Sequence, residues 1–172
     1  MSLGITIRTT PPRGQWGAAA LSLLLVAGVA VVGALATLDA AAFYHALQKP
    51  SWAPPASVFG PVWTALYTLM AIAAWLVWRR AGDLRGAPLA FALYAVQLLL
   101  NALWSWLFFA WQLGLPALVD VSLLWLAVVL TTGQFWQIDR TAGLLMLPYL
   151  LWVGFATALN AACWQLNPFL LG

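Results

Sequence analysis

Apolar residues run through this 172-residue chain in five long blocks, and the short connectors between them carry nearly all of its charge. The blocks cover 16–38, 61–78, 88–111, 117–137 and 142–164. A helix needs about 20 mostly apolar residues to cross the hydrocarbon layer, so each block predicts one membrane-spanning helix. Gly114 and Pro116 make a natural break between the third and fourth. Pro148 falls inside the fifth, where a kink is tolerable if neighbouring groups satisfy the freed carbonyl. No internal repeat is evident, and an odd number of spans argues against a simple inverted-repeat transporter. The expected fold is an all-α integral membrane protein, a five-helix transmembrane bundle over 16–172, preceded by a polar extension over 1–15.

Composition agrees. The chain is 65% hydrophobic and 6% charged, with a mean hydropathy of +0.93, whereas a soluble domain carries roughly a quarter charged residues. Of the ionisable residues, only Asp120 lies within an apolar block. Arg8, Arg13, Arg79, Arg80, Arg85 and Arg140 fall on one side of the expected membrane and Lys49 alone on the other. The positive-inside rule then puts the N-terminus in the cytoplasm, for an inner membrane. The net charge of +3 reflects that topology and no basic patch exists, so a nucleic-acid partner is not expected. One histidine, His45, excludes a multi-histidine metal site, and one cysteine, Cys163, excludes an internal disulfide.

The connector between the first two spans is not a polar turn. Residues 47–67 read LQKPSWAPPASVFGPVWTALY, with Pro50, Pro54, Pro55, Pro61, Trp52, Trp63 and Lys49. Proline fixes φ and pushes its predecessor towards extended geometry, so a stiff, non-helical segment is expected up to about Pro61. Pro61 itself suits the first turn of a helix. Such a loop can fold over the bundle as a lid.

Several polar and tryptophan-bearing helix ends converge under that lid. With a rise of 1.5 Å per residue, Asn101 and Trp104 lie roughly 20–25 Å from the basic side along the third span. Trp63 opens the second span, Asp120 sits one turn into the fourth, and Trp152 and Asn160 lie past the middle of the fifth. Helical spacing gives each set a shared face: Trp63, Tyr67 and Met70; Gln97, Asn101, Trp104 or Ser105, and Phe108; Trp152, Ala156, Leu159 or Asn160, and Cys163. An apolar pocket with a few convergent polar groups is the usual form of a small-molecule site, and indole faces suit a flat conjugated ligand.

Plainer roles compete for the same residues. An aromatic belt at the membrane surface accounts for about half of the 12 tryptophans, including Trp16, Trp78, Trp111, Trp136 and Trp164. Gln97, Asn101, Gln134 and Asn160 suit interhelical hydrogen bonding as well as ligand contact. Asp120 is costly at depth and so a functional candidate, or else a charge complementing a helix N-terminus. His45 suits the surface and Cys163 the packed interior.

The strings FYHALQKPSWAPP, PVWTALY, QLLLNALWSWLFF and PYLLWVGFATALN together resemble the TspO/translocator protein family of tryptophan-rich sensory proteins, over about residues 17–167. The resemblance, to a bacterial member, implies a five-helix bundle in a bacterial cell envelope, usually a homodimer, with a cavity closed by the first loop. It implies no required cofactor. Its ligands would be porphyrins, notably protoporphyrin IX, haem, or another hydrophobic small molecule, and membrane lipid would be a further partner. Carried over by position, Tyr44, Pro50 and Trp52 would shape the lid side of the pocket, and Trp63 and Tyr67 would come from the second span. Asn101 and Trp104 would come from the third, and Trp152, Ala156 and Leu159 from the fifth. In relatives, tryptophans matching Trp63 and Trp152 are tied to light- and oxygen-dependent porphyrin breakdown. Two departures stand out: Phe43 replaces the tryptophan before the loop tyrosine, and Ala161 and Gln165 break the sterol motif of animal members.

Three functions are then open: a protein that senses, carries or regulates tetrapyrroles, a photo-oxidative porphyrin-degrading enzyme, and a passive transporter of porphyrin or sterol-like lipid. No histidine, carboxylate pair or activated nucleophile is arranged for acid–base chemistry, so the enzyme would have to work through indole radicals. Asp120 alone is thin support for a proton-coupled pump. Lys49, the single lysine, lies in a loop and cannot form an intramembrane Schiff base with retinal.

Overall fold

The computed structural model describes residues 12–172. Arg8 and the extension up to residue 11 lie outside the described residues, as does the side chain of Arg13. Six α-helices follow in order: α1 (Pro12–Ala36), α2 (Ala40–Ala46), α3 (Phe59–Ala81), α4 (Pro88–Ser105), α5 (Gly114–Ile138) and α6 (Arg140–Leu166). All but the short α2 are long and apolar enough to cross a membrane, and the described residues form no strand. This is the all-α, five-span bundle expected.

The boundaries differ in instructive places. α1 begins at Pro12, four residues before its membrane-spanning stretch starts at Trp16. After Ala36 the chain turns and starts α2, an alanine-rich helix that the apolar blocks did not reveal because it is too short to span. The stiff segment therefore covers only about 47–55. A 3-10 turn, Ala56–Val58, leads directly into α3 at Phe59, two residues before Pro61. Proline at the third helical position is tolerated because its missing amide hydrogen has no partner in the first turn anyway. At the far end of α4 the helix widens into a π turn, Trp106–Ala110. It sets the adjacent Phe108 and Phe109 rings against each other at 5.0 Å and both against Trp104.

α5 and α6 form a tight hairpin joined through one residue, Asp139. Its carboxylate caps α6 by accepting from the amides of Thr141 (2.8 Å) and Ala142 (3.2 Å), and its other oxygen takes the Arg80 guanidinium at 3.1 Å. Arg80 is more than half exposed, so the ion pair contributes little and the cap carries most of the effect. Asp139→Ala should destabilise the fold by about 0.5–2 kcal/mol. Thermal unfolding in detergent checks this, and an unshifted midpoint would contradict the capping role.

Many polar side chains of this interior are bonded inside the bundle, where lipid offers no partners, although among the described residues Trp78 Nε1, Gln97 Oε1 and Asp120 Oδ2 are buried without a hydrogen bond. Thr131 and Thr132 are buried and donate to the carbonyls of Ala127 and Val128, both at 2.7 Å. The last residues fold back over the lid side: Gly114 donates its amide to the Leu171 carbonyl (2.8 Å) and the Trp164 indole donates to the Gly172 carbonyl (2.7 Å). α1 is the loosest element, with a row of exposed leucines and valines along one side. Its basic half is tied to α3 by Ser22, which donates to the Ala71 carbonyl at 2.9 Å.

Candidate functional site

Two asparagines hold the helices that surround the site. Asn101 on α4 accepts from the Tyr67 hydroxyl of α3 at 2.7 Å and donates to the Tyr149 hydroxyl of α6 at 3.1 Å. One turn nearer the loop, the Trp104 indole donates to Asn160 Oδ1 (3.1 Å), and Asn160 Nδ2 donates to the Gly114 carbonyl (3.2 Å). These two clusters tie α3, α4, α5 and α6 together beneath the connector. Both asparagines act here as interhelical links, with partners inside the bundle.

The connector is clasped from above. Asn167, just beyond α6, faces the backbone of Gln48: its Oδ1 accepts the Gln48 amide and its Nδ2 donates to the Gln48 carbonyl, both at 2.8 Å. The same Nδ2 lies 2.7 Å from the Cys163 carbonyl. Lys49 turns back over the end of α2, donating to the carbonyls of Tyr44 (2.6 Å) and Leu47 (2.7 Å), with its ammonium 4.9 Å from the centre of the Tyr44 ring. The Tyr44 hydroxyl donates to the Pro54 carbonyl at 2.9 Å. Burial pushes that phenol above the ordinary tyrosine range, and the nearby Cys163 thiol adds to the effect, so it stays a donor at neutral pH. Trp52 is half exposed and meets Phe155 edge-on at 5.7 Å, which closes the lid onto α6. Asn167→Ala removes both bonds to Gln48. Hydrogen exchange at the Gln48 amide should quicken by about tenfold or more, given about 1 kcal/mol per bond, and an unchanged rate would contradict the clasp.

Under the lid lies a cavity of about 410 Å³, in the size range of small-molecule sites. One wall is aromatic: Phe59, Trp63 and Tyr67 at successive turns of α3, Trp104 and Phe109 from α4 and its π turn, and Tyr44 from α2. The opposite wall is α1 and the turn that follows it, which present Ala30, Gly33, Ala34 and Thr37. Trp63 is at the centre of the aromatic wall, its ring 5.5 Å from Tyr67, 6.4 Å from Trp104 and 6.2 Å from Tyr149. The space is a slot, with ring faces on one side and small side chains on the other.

A second, inner pocket of about 20 Å³ lies on the far side of Trp63 and Trp104, lined also by Trp152, Ala156, Leu159, Asn160 and Cys163. It is close to the size of a single water. The structure thus divides the candidates from the sequence. Tyr44, Trp63 and Trp104 line both spaces and Tyr67 lines the slot. Of the two spaces, Trp152, Ala156 and Leu159 line the inner pocket alone, with Trp152 edge-on to Phe59 at 5.9 Å; Trp152 also lines a separate open hollow with Pro54, Val62 and Phe155. Asn101 stands behind Tyr67 and lines neither space. Pro50 accepts the Ala53 amide in a turn of the lid (3.0 Å), and Trp52 covers α6. Asp120 is buried on α5 and lines neither space, and its Oδ2 makes no hydrogen bond.

The small-residue wall was missed by the sequence reading. Ala30 and Ala34 are four residues apart, an ordinary helix-packing spacing. Adding Gly33 and Thr37 gives a strip at three- and four-residue intervals, the signal that one face of α1 leaves room beside it. Among the tryptophans expected at the membrane surface, Trp16, Trp111 and Trp136 are exposed, while Trp164 is half-buried and bonded to Gly172. Among the described residues no group of histidine, cysteine and acidic side chains could hold a metal ion.

Comparison with known proteins agrees with this architecture. The profile of the TspO/MBR family matches residues 20–165, which contain every residue that lines the slot. The chain is 41% identical over 150 residues to a tryptophan-rich protein TspO of Chlorobaculum tepidum, covering 87% of this chain and 95% of that one. It is 42% identical over 148 residues to a tryptophan-rich sensory protein of Cereibacter sphaeroides, covering 86% and 90%. The human translocator protein is 43% identical over 127 residues, 73% of this chain and 75% of its own. With five apolar helices and a family match over most of its length, this chain is an integral multi-pass membrane protein that belongs to the TspO/MBR family.

Proposed function

We propose that this protein binds a flat conjugated tetrapyrrole, protoporphyrin IX or haem, in the slot between α1 and α3, and serves to sense, carry or regulate it. The shape of the slot carries this reading: about 410 Å³ of space with the rings of Phe59, Trp63, Tyr67 and Trp104 on one side and alanine and glycine on the other. Stacking on such rings favours a planar π-system. Small side chains opposite let the second face lie close to the α1 backbone. Lys49 adds a positive charge 4.9 Å from the centre of the lid tyrosine ring, complementary in sign to porphyrin carboxylates.

Ring contacts, rather than metal ligation, are what the slot offers. Among its lining residues only Tyr44 and Tyr67 carry a group suited to iron, and their hydroxyls donate to Pro54 and Asn101. Haem would therefore be held as a flat ring like the metal-free porphyrin. The test is a titration of the purified protein with protoporphyrin IX in the dark, followed by tryptophan emission. Saturable quenching near one ligand per chain is expected. Quenching that grows linearly without saturating would contradict the proposal.

A further inference from the structure

The slot has a mouth, and its position says where the ligand comes from. Four of its lining residues are exposed: Ala34 on α1, Ala41 on α2, and Gly60 and Thr64 on α3. They mark an opening between the end of α1 and the start of α3, in the side of the bundle rather than its top. None is charged. The Thr64 hydroxyl is already spent on the Gly60 carbonyl at 2.9 Å, so this rim offers lipid no unbonded donor. The exposed α1 residues flanking Ala34 are Val31 and Leu35, both apolar.

The top of the slot is built differently. There the lid is held by the two Asn167–Gln48 bonds, by Lys49 on two carbonyls, and by Tyr44 on Pro54. Those bonds would have to break before a ligand could enter from water. The side mouth requires none to break. α1, which forms one edge of it, is fixed to α3 by Ser22 at its opposite half. By helix rise, Thr64 lies roughly 8 Å inside the start of α3, at the depth where headgroups meet acyl chains.

We propose that the slot is loaded sideways from the bilayer, through the gap between α1 and α3, by a flat amphiphile that already lies at the lipid–water boundary. This rests on the ligand reading above for the identity of the amphiphile, but not for the location of the mouth. Gly60 provides the direct test, because a Cβ added there would meet nothing within 4 Å and a larger side chain can project into the opening. In nanodiscs with protoporphyrin IX preloaded in the lipid, Gly60→Phe should slow association by about tenfold and should slow dissociation rather than raise it. Blocking a passage lowers both rates, whereas damaging the site raises dissociation. An association rate equal to that of the unmodified protein would overturn the proposal.

A second measurement holds whether or not porphyrin binds. A nitroxide on Thr64→Cys, with Cys163 replaced by alanine, should collide with dissolved oxygen more than with a water-soluble nickel chelate. The reverse order would place the mouth in water and overturn side entry. Failure of the unmodified protein to bind porphyrin would remove the ligand reading alone, and the nitroxide result would still decide the route.

Discussion

Replacing Trp63 with alanine is expected to weaken protoporphyrin IX binding by about 10- to 100-fold, equivalent to about 1.4–2.8 kcal/mol. Its indole touches Tyr67, Trp104 and Tyr149, and it forms part of both the slot and the inner pocket. Two losses combine. A stacked ring is worth about 0.5–1.5 kcal/mol beyond its buried area, and the vacated volume lets the remaining rings of the wall relax away from a planar ligand. Trp63→Phe should keep part of the affinity, since a ring face remains. Trp111→Ala serves as the control, because Trp111 is exposed beyond the π turn and lines neither space. Porphyrin absorbance should be followed rather than protein emission, so that the loss of an indole does not alter the signal. Equal affinity in Trp63→Ala and Trp111→Ala would remove Trp63 from the site.

A large effect on stability is expected at Gly143. A Cβ there would lie 2.7 Å from the Trp136 ring and 2.8 Å from both its Cα and its Cβ. Two of those atoms cannot rotate away, so α5 and α6 would have to separate at the hairpin that Asp139 closes. Overpacking of this kind costs about 1–3 kcal/mol for one added methyl, and valine should cost more than alanine. Gly133→Ala on the same hairpin is the internal comparison, since its Cβ would meet nothing within 4 Å. Thermal unfolding in detergent should show a clear drop for Gly143→Ala and none for Gly133→Ala. Equal midpoints would contradict the close approach of the two helices.

The spans were legible because lipid imposes a simple rule on sequence. Blocks of about 20 apolar residues broken by Gly114–Pro116 or by arginine-bearing turns leave little freedom in counting helices. The short elements were not legible in the same way. α2 is seven residues long, and the Asp39 before it makes no side-chain cap bond, so neither length nor cap announces it. The π turn after Ser105 departs from α spacing by one residue, which brings Phe109 into the slot beside Trp104. No periodicity in the sequence marks that shift.

The site was half legible. Large aromatic residues announce themselves, and Trp63, Tyr67 and Trp104 could be placed on one side of the bundle from helix rise alone. Asn101 shared their face, yet its amide is spent joining Tyr67 to Tyr149, a partnership that depends on α6 being at hand. The opposite wall is defined by what Ala30, Gly33 and Ala34 lack. An absent side chain becomes a cavity only once the neighbouring helix is in place. The lid clasp was also hidden, because Gln48 and Asn167 are 119 residues apart and the Asn167 side-chain amide meets only backbone groups of Gln48, which every position offers.

A methyl NMR spectrum of alanine-labelled protein in nanodiscs, with and without protoporphyrin IX, tests the proposed binding mode most directly. A porphyrin ring current strongly shifts any methyl lying over its face. With the ligand between the aromatic wall and α1, Ala30 and Ala34 should shift strongly upfield, while Ala71 and Ala142, buried elsewhere in the bundle, should stay in place. Saturable binding that left Ala30 and Ala34 unmoved would put the porphyrin somewhere other than this slot.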